Sequence, residues 1–183
     1  GDPLFFGIGN TLLRHLPPEH LTFHPHVSSI QAAFARLGRP WPQAQCVSLH
    51  GRPLASLCAA LQGNRLYALL TDRDNSPAAI ARILVETGFG ESDLWVAEEL
   101  GAPTERFRHF RAVELANAAT EFSPLNVVIL ETRGPGGVLP EFPGIPDAWF
   151  STGAEPGKGL LSKREVRLTI LSLLAPRAGE IGW

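Results

Sequence analysis

Methionine is absent from this sequence of 183 residues, and cysteine occurs only twice. Cys46 and Cys58 can form at most one bridge, so no disulfide framework holds the fold. Two buried or half-buried thiols in a reducing cytoplasm are expected instead. Basic residues show no surplus: 16 Lys and Arg against 18 Asp and Glu leave a formal charge of −2. That removes the electrostatic case for a nucleic-acid partner. The longest apolar runs, such as residues 170–175, fall far short of the ~20 residues a membrane helix needs. No signal-peptide pattern opens the chain. With no initiator and an opening in mid-motif at Gly1-Asp2-Pro3, the sequence is expected to be a piece of a longer protein, cut at both ends.

What remains is the composition of a globular domain, 44% hydrophobic and 19% charged. Its patterning is that of an α/β layer. Residues 1–9 hold a Gly-Asp-Pro turn and two further glycines. A short helix is expected over 11–15, capped by Asn10 and stopped by Pro17-Pro18. Residues 21–24 suggest a short strand. Ser28 and Ser29 can cap a helix with apolar positions at Ile30, Ala33, Phe34 and Leu37, closed by Gly38.

From Pro40 strands and helices alternate. Strands are expected over 45–49, 65–71, 93–98 and 126–131. The runs RLYALLT and NVVILE are nearly continuous in apolar residues, as in strands buried on both faces. Helices are expected over 54–61, 78–87 and 112–118, the second behind an Asn75-Ser76-Pro77 cap and before Gly88. Residues 134–159 contain seven glycines and five prolines and read as a linker. An amphipathic helix resumes over 162–174, with Val166, Ile170 and Leu173 on one stripe.

The candidate chemistry lies in loops. Gly-Asp-Pro followed by Gly7 and Gly9 lets the backbone approach a ligand closely, although any tight turn uses the same residues. His50 and Arg52 follow the end of an expected strand, where α/β proteins put ligand groups. Arg52 suits a carboxylate partner, or serves as a solvated turn residue. His20, His24 and His26 cluster, but no cysteine or carboxylate stands at ligand spacing, so no metal is expected.

Four segments taken together carry a resemblance: GDPLFFGIG at the start, Pro25-His26-Val27-Ser28-Ser29, Ser48-Leu49-His50-Gly51-Arg52, and residues 97–105 (AEELGAPTE). In that order and spacing they resemble the tetrapyrrole methylase family, in particular the branch that methylates carbon 5 of precorrin-6Y in cobalamin biosynthesis. The resemblance covers residues 1 to about 133. It implies an S-adenosylmethionine-dependent C-methyltransferase, cytoplasmic and homo-oligomeric, with a tetrapyrrole substrate and no nucleic-acid or membrane partner.

By the same resemblance residues 1–39 end a first lobe and residues 40–133 form the second α/β lobe. Residues 134–160 are then a linker, and residues 161–183 enter a class I methyltransferase domain. Ile145-Pro146-Asp147, Leu161 to Arg167 and Leu174-Ala175-Pro176 are similar to the entry of the carbon-15 methylating, decarboxylating domain of the fused enzymes. The donor site is expected at Gly1, Asp2, Pro3, Ser28, Ser29, Leu70, Thr71 and Asn126, and substrate contacts at His50 and Arg52. Asp2 shapes the loop or acts as a base, the serines are donor hydroxyls or helix caps, and no catalytic residue is assigned. Another methylase of the family, or an inactive dimerisation fragment, is the alternative. Without a first lobe, the chain alone is expected to turn over no tetrapyrrole.

Overall fold

A computed structural model describes residues 1–58, 60–134 and 163–174. Residues 1–138 form one compact unit and residues 139–183 a second. The first is built on a five-stranded mixed sheet. In chain order the strands are β1 (Gln45–Ser48), β2 (Leu66–Leu70), β3 (Asp93–Glu98), β4 (Arg106–Arg111) and β5 (Asn126–Glu131). Their spatial order is β1-β2-β5-β3-β4. Only β1 and β2 pair in parallel; β5 lies antiparallel between β2 and β3, and β4 returns antiparallel along the outer edge of β3.

Six helices accompany the strands among the described residues: α1 (Gly9–Leu12), α2 (Ser29–Leu37), α3 (Ala55–Cys58), α4 (Pro77–Glu86), α5 (Ala112–Asn117) and α6 (Arg164–Leu174). A single 3-10 turn, Pro18–His20, sits between α1 and α2. The longer helices begin where local chemistry starts them. Ser28 and Gln31 close a reciprocal capping box on α2, and Gly38 ends it in the left-handed region at φ 67°. The Ser76 hydroxyl caps α4 by accepting from Ala79 N, with Pro77 at the first helical position.

Helices cover both faces of the sheet, which explains the apolar continuity of β2 and β5. One face packs Tyr67, Leu69, Val128 and Leu130 with Leu57, Ile80, Leu84 and Leu115. The other packs Ala68, Val127 and Ile129 against Ile30, Ala33 and Phe34 of α2. Thus α2, from the segment expected to end a preceding lobe, rests on this sheet. Each fully buried Leu, Ile, Val or Phe side chain among them contributes about 1.5–3 kcal/mol.

Several expectations are adjusted. The segment 21–24 pairs with no strand. The helix near the start is Gly9–Leu12, preceded by Ile8 with no side-chain cap, so Asn10 lies within it. Among the described residues α3 covers only four. β4 has no counterpart in the sequence reading, because Arg106, Arg108, His109 and Arg111 hide its alternation. Three of them meet acids on the neighbouring strand: Asp93 meets His109 and Arg111, and Glu98 meets Arg108. An edge strand exposes long polar side chains while Phe107 and Phe110 reach the two cores.

In the second unit, α6 is described by itself, and Leu173 and Leu174 are exposed. Most of the expected linker, the Ile145-Pro146-Asp147 segment, Ser162 and everything after Leu174 lie outside the described residues.

Candidate functional site

The carboxyl ends of β1, β2 and β3 meet the amino end of β5 at one edge of the sheet. Ser48 is in register with Leu70, Leu70 with Val127, and Glu98 with Asn126. A cavity of about 710 Å³ opens there, walled by the β1–α3 loop, the end of β2, the segment before β5, and Phe6, Gly7 and Asn10 from the amino-terminal segment. Its volume lies within the ~300–1,000 Å³ usual for small-molecule sites.

Two strand ends are clasped at the cavity wall. The buried Thr71 hydroxyl lies 2.9 Å from the Asn126 carbonyl and 2.8 Å from Asn126 Oδ1, and donates to one of them at a time. Asn126 Nδ2 in turn donates to the Ser123 carbonyl at 2.8 Å. Thr71→Val, which keeps the shape and deletes the donor, is expected to lower stability by about 1–3 kcal/mol, because the Asn126 acceptors lose their partner. Urea denaturation checks it; an unchanged midpoint would refute the clasp.

Asp72 follows directly. Its carboxylate accepts backbone N–H groups from Asn75 at 2.7 Å, Gly51 at 2.7 Å and Asp74 at 3.0 Å. These donors, Asn75 first and Gly51 next, hold its carboxyl below the ordinary value of 3.8. Three more carboxylates are held below their ordinary 4.5: Glu99, chiefly by the Thr104 hydroxyl, Glu105 by Arg36 and Glu131 by Arg39. For carboxyls depressed in the fold, the linked stability is complete above the unfolded pKa. It is lost as pH falls through the lower folded values. The urea midpoint is therefore expected to stay level down to about pH 5 and to drop steadily below about pH 4. A midpoint constant to pH 3 would contradict these assignments.

Known proteins can be set beside this geometry. The family model for tetrapyrrole (corrin/porphyrin) methylases matches residues 1–116. The chain belongs to the tetrapyrrole methylases.

A precorrin-6Y C(5,15)-methyltransferase (decarboxylating) of a Sinorhizobium species is 39% identical over 185 residues, covering all of this methylase chain and 43% of the relative. A cobalt-precorrin-7 C(5)-methyltransferase of Salmonella typhimurium is 35% identical over 133 residues, 73% of this chain and 64% of the relative. The chain thus spans less than half the length of the first of these. Among solved structures, uroporphyrin-III C-methyltransferase from Thermus thermophilus, complexed with S-adenosyl homocysteine, is similar with a TM-score of 0.54 and 27% identity. That match covers 72% of this chain and 62% of the other.

Of the ten residues singled out from the methylase sequence, Ser29, His50, Arg52, Leu70, Thr71 and Asn126 line the cavity. Gly1, Asp2, Pro3 and Ser28 do not line it, and their bonds explain why. Asp2 Oδ1 accepts Leu4 N at 2.9 Å, shaping the turn. The Pro3 carbonyl accepts Gly9 N at 2.8 Å, and the Gly1 carbonyl accepts His26 N at 3.2 Å. The Ser28 hydroxyl is engaged as the α2 cap. From the same loop it is Phe6 and Gly7 that reach the cavity wall.

Sequence reasoning passed over Arg73, which lines the cavity with an exposed side chain and no ion-pair partner among the described residues. Its position right after Asp72, one strand end from Arg52, was the available signal. Among the described residues no group of three or more His, Cys, Asp or Glu is arranged to hold a metal ion. Neither is any helix there long and apolar enough to cross a membrane. Cys46 and Cys58 are free, and burial pushes the Cys46 thiol pKa up.

Proposed function

We propose that this chain forms donor and substrate surfaces of an S-adenosylmethionine-dependent C-methyltransferase acting on carbon 5 of precorrin-6Y. The observation that carries the reading is the cavity at the strand ends, in a chain 39% identical to a precorrin-6Y C(5,15)-methyltransferase. The donor's fit is supported by chemistry: Leu70, Leu125 and Val127 make an apolar wall suited to a flat heteroaromatic ring. Beside them the hydroxyls of Ser29 and Ser48 make no hydrogen bond among the described residues and are available to a ligand. A bound sulfonium donor supplies an electrophilic methyl group. The chain's own part is to hold both reactants aligned and exclude water, an effect that reaches ~7–11 kcal/mol of barrier. Arg52 and Arg73 meet the substrate's carboxylates at the rim, where guanidinium pairs with carboxylate in two-point fashion.

The proposal retains residues 1–39 as the end of a first lobe and 40–133 as the second. Residues 134–160 remain a linker and 161–183 the entry of a further methyltransferase domain. It includes a homo-oligomer working in the cytoplasm. Calorimetric titration with S-adenosyl homocysteine, and transfer of labelled methyl from S-adenosylmethionine to precorrin-6Y by the full-length protein containing this chain, test it. Saturable binding with one-to-one stoichiometry and label on the tetrapyrrole are expected. Absence of either would refute the assignment.

A further inference from the structure

The loop that carries His50 and Arg52 is pinned by side chains from beyond the end of β2. Asn75 is 4% exposed, and its Nδ2 donates to the carbonyls of Leu49 at 2.8 Å and Arg52 at 3.0 Å. A third acceptor, Asp72 Oδ2, lies 3.2 Å from the same nitrogen, so its two N–H hydrogens are shared among three oxygens. Between Leu49 and Arg52, Gly51 N donates to Asp72 Oδ2 at 2.7 Å. Gly51 itself sits in the left-handed region at φ 66°, with open space where a Cβ would stand, so backbone shape rather than crowding calls for glycine. The ends of the loop are closed by Leu49 N to the Leu70 carbonyl and by Arg52 N to the Leu49 carbonyl.

The backbone of residues 49–52 is therefore tied by four bonds from outside the segment and one within it. The side chains of His50 and Arg52 are exposed on the cavity and make no hydrogen bond or ion pair among the described residues. A fixed backbone carrying free polar side chains is a pre-organised binding surface. It lowers the ordering cost when a ligand arrives.

We propose that Asn75, together with Asp72, is a positioning residue of the substrate site, holding the 49–52 loop so that His50 and Arg52 face the tetrapyrrole before it binds. This rests on the methyltransferase reading above. Asn75 touches neither donor nor substrate; it acts through Arg52 and His50.

The test is steady-state methylation of precorrin-6Y by the full-length protein containing this chain, with Asn75→Ala, Arg52→Ala and the double variant. Asn75→Ala is expected to raise KM for the tetrapyrrole about tenfold, with kcat and S-adenosyl homocysteine affinity within about twofold of the unsubstituted protein. In the Arg52→Ala background the same substitution should raise KM by clearly less than about tenfold, because one of the two side chains through which it acts is gone and only the share carried by His50 remains. Should Asn75→Ala not fold, Asp72→Asn carries the same cycle. It removes the charge facing the N–H groups of Gly51 and Asn75 and leaves the Leu49 and Arg52 carbonyls as acceptors for Asn75. An unchanged KM, or a loss fully additive with that of Arg52→Ala, overturns the proposal while methylation itself stands. Parallel loss of donor affinity also overturns it, because the knot then serves the donor site or the fold. No methylation by the unsubstituted protein overturns the functional reading and this inference with it.

Discussion

Gly7→Ala is expected to weaken S-adenosyl homocysteine binding by about 10- to 100-fold. The loop around it is closed by backbone bonds: Phe5 N to the Asp2 carbonyl at 3.2 Å, and Gly9 N to the Pro3 carbonyl at 2.8 Å. Phe6 holds φ 53° in the left-handed region, which turns the chain back on itself. A Cβ on Gly7 would stand 2.6 Å from the Pro3 oxygen and 2.9 Å from its carbonyl carbon. Those atoms are backbone and have no rotamer by which to move aside. The loop must open, and Phe6 and Gly7 leave the cavity wall. Gly1→Ala is the matched comparison, since no atom lies within 4 Å of the Cβ it would add. Calorimetric titration of both variants, with circular dichroism to verify folding, decides the matter. Equal affinities would remove the loop from the donor site.

Arg108→Ala is expected to lower stability by about 3–5 kcal/mol, the usual result of leaving a buried charge without its partner. The Glu98 side chain is 1% exposed; its Oε2 accepts from Arg108 Nε at 2.8 Å and lies 2.7 Å from Nη2 in an ion pair. The same guanidinium lies 4.4 Å from the centre of the Phe122 ring and donates to the Glu121 carbonyl at 2.9 Å. Glu98 Oε1 also accepts Ser123 N at 2.8 Å, at the start of the segment that forms the cavity wall through Pro124, Leu125 and Asn126. With Arg108 gone, only that N–H and water remain to the carboxylate. Urea denaturation should show the loss, and Glu98→Gln/Arg108→Ala should recover part of it by removing the stranded charge. A single-variant loss below about 1 kcal/mol would mean the pair is solvated like a surface one.

Both predictions rest on features with different visibility in the sequence. The Gly-Asp-Pro turn and its following glycines are contiguous, so a tight loop there could be read directly. Which of its residues line the cavity could not. That depends on the Pro3 carbonyl engaging Gly9, which puts Phe6 and Gly7 rather than Gly1 to Pro3 on the wall. The Glu98–Arg108 pair was not legible, because β4 itself was not. A strand of the sequence Arg-Phe-Arg-His-Phe-Arg has no intrinsic mark separating it from a charged loop until the acids of β3 lie opposite.

Ser28 showed both sides of its reading: the hydroxyl caps α2, while its neighbour Ser29 lines the cavity. Asn75 was read only as part of a helix cap, and its bonds to Leu49 and Arg52 span 26 and 23 residues. No local pattern could announce them.

By itself the sequence determined the starts of α2 and α4, the burial of β2 and β5 on both faces, the tight first loop and membership in a family. These are consequences of local hydrogen bonding, side-chain periodicity and contiguous motifs, which act over a few residues. Only the tertiary structure decided that β5 enters antiparallel between β2 and β3, that β4 completes the edge, that Arg73 lines the cavity, and that Asn75 bonds the Leu49 and Arg52 carbonyls. Strand order and site assembly are settled by pairing and burial between segments tens of residues apart. Such contacts form only when loop closure is repaid by the packing of the whole sheet.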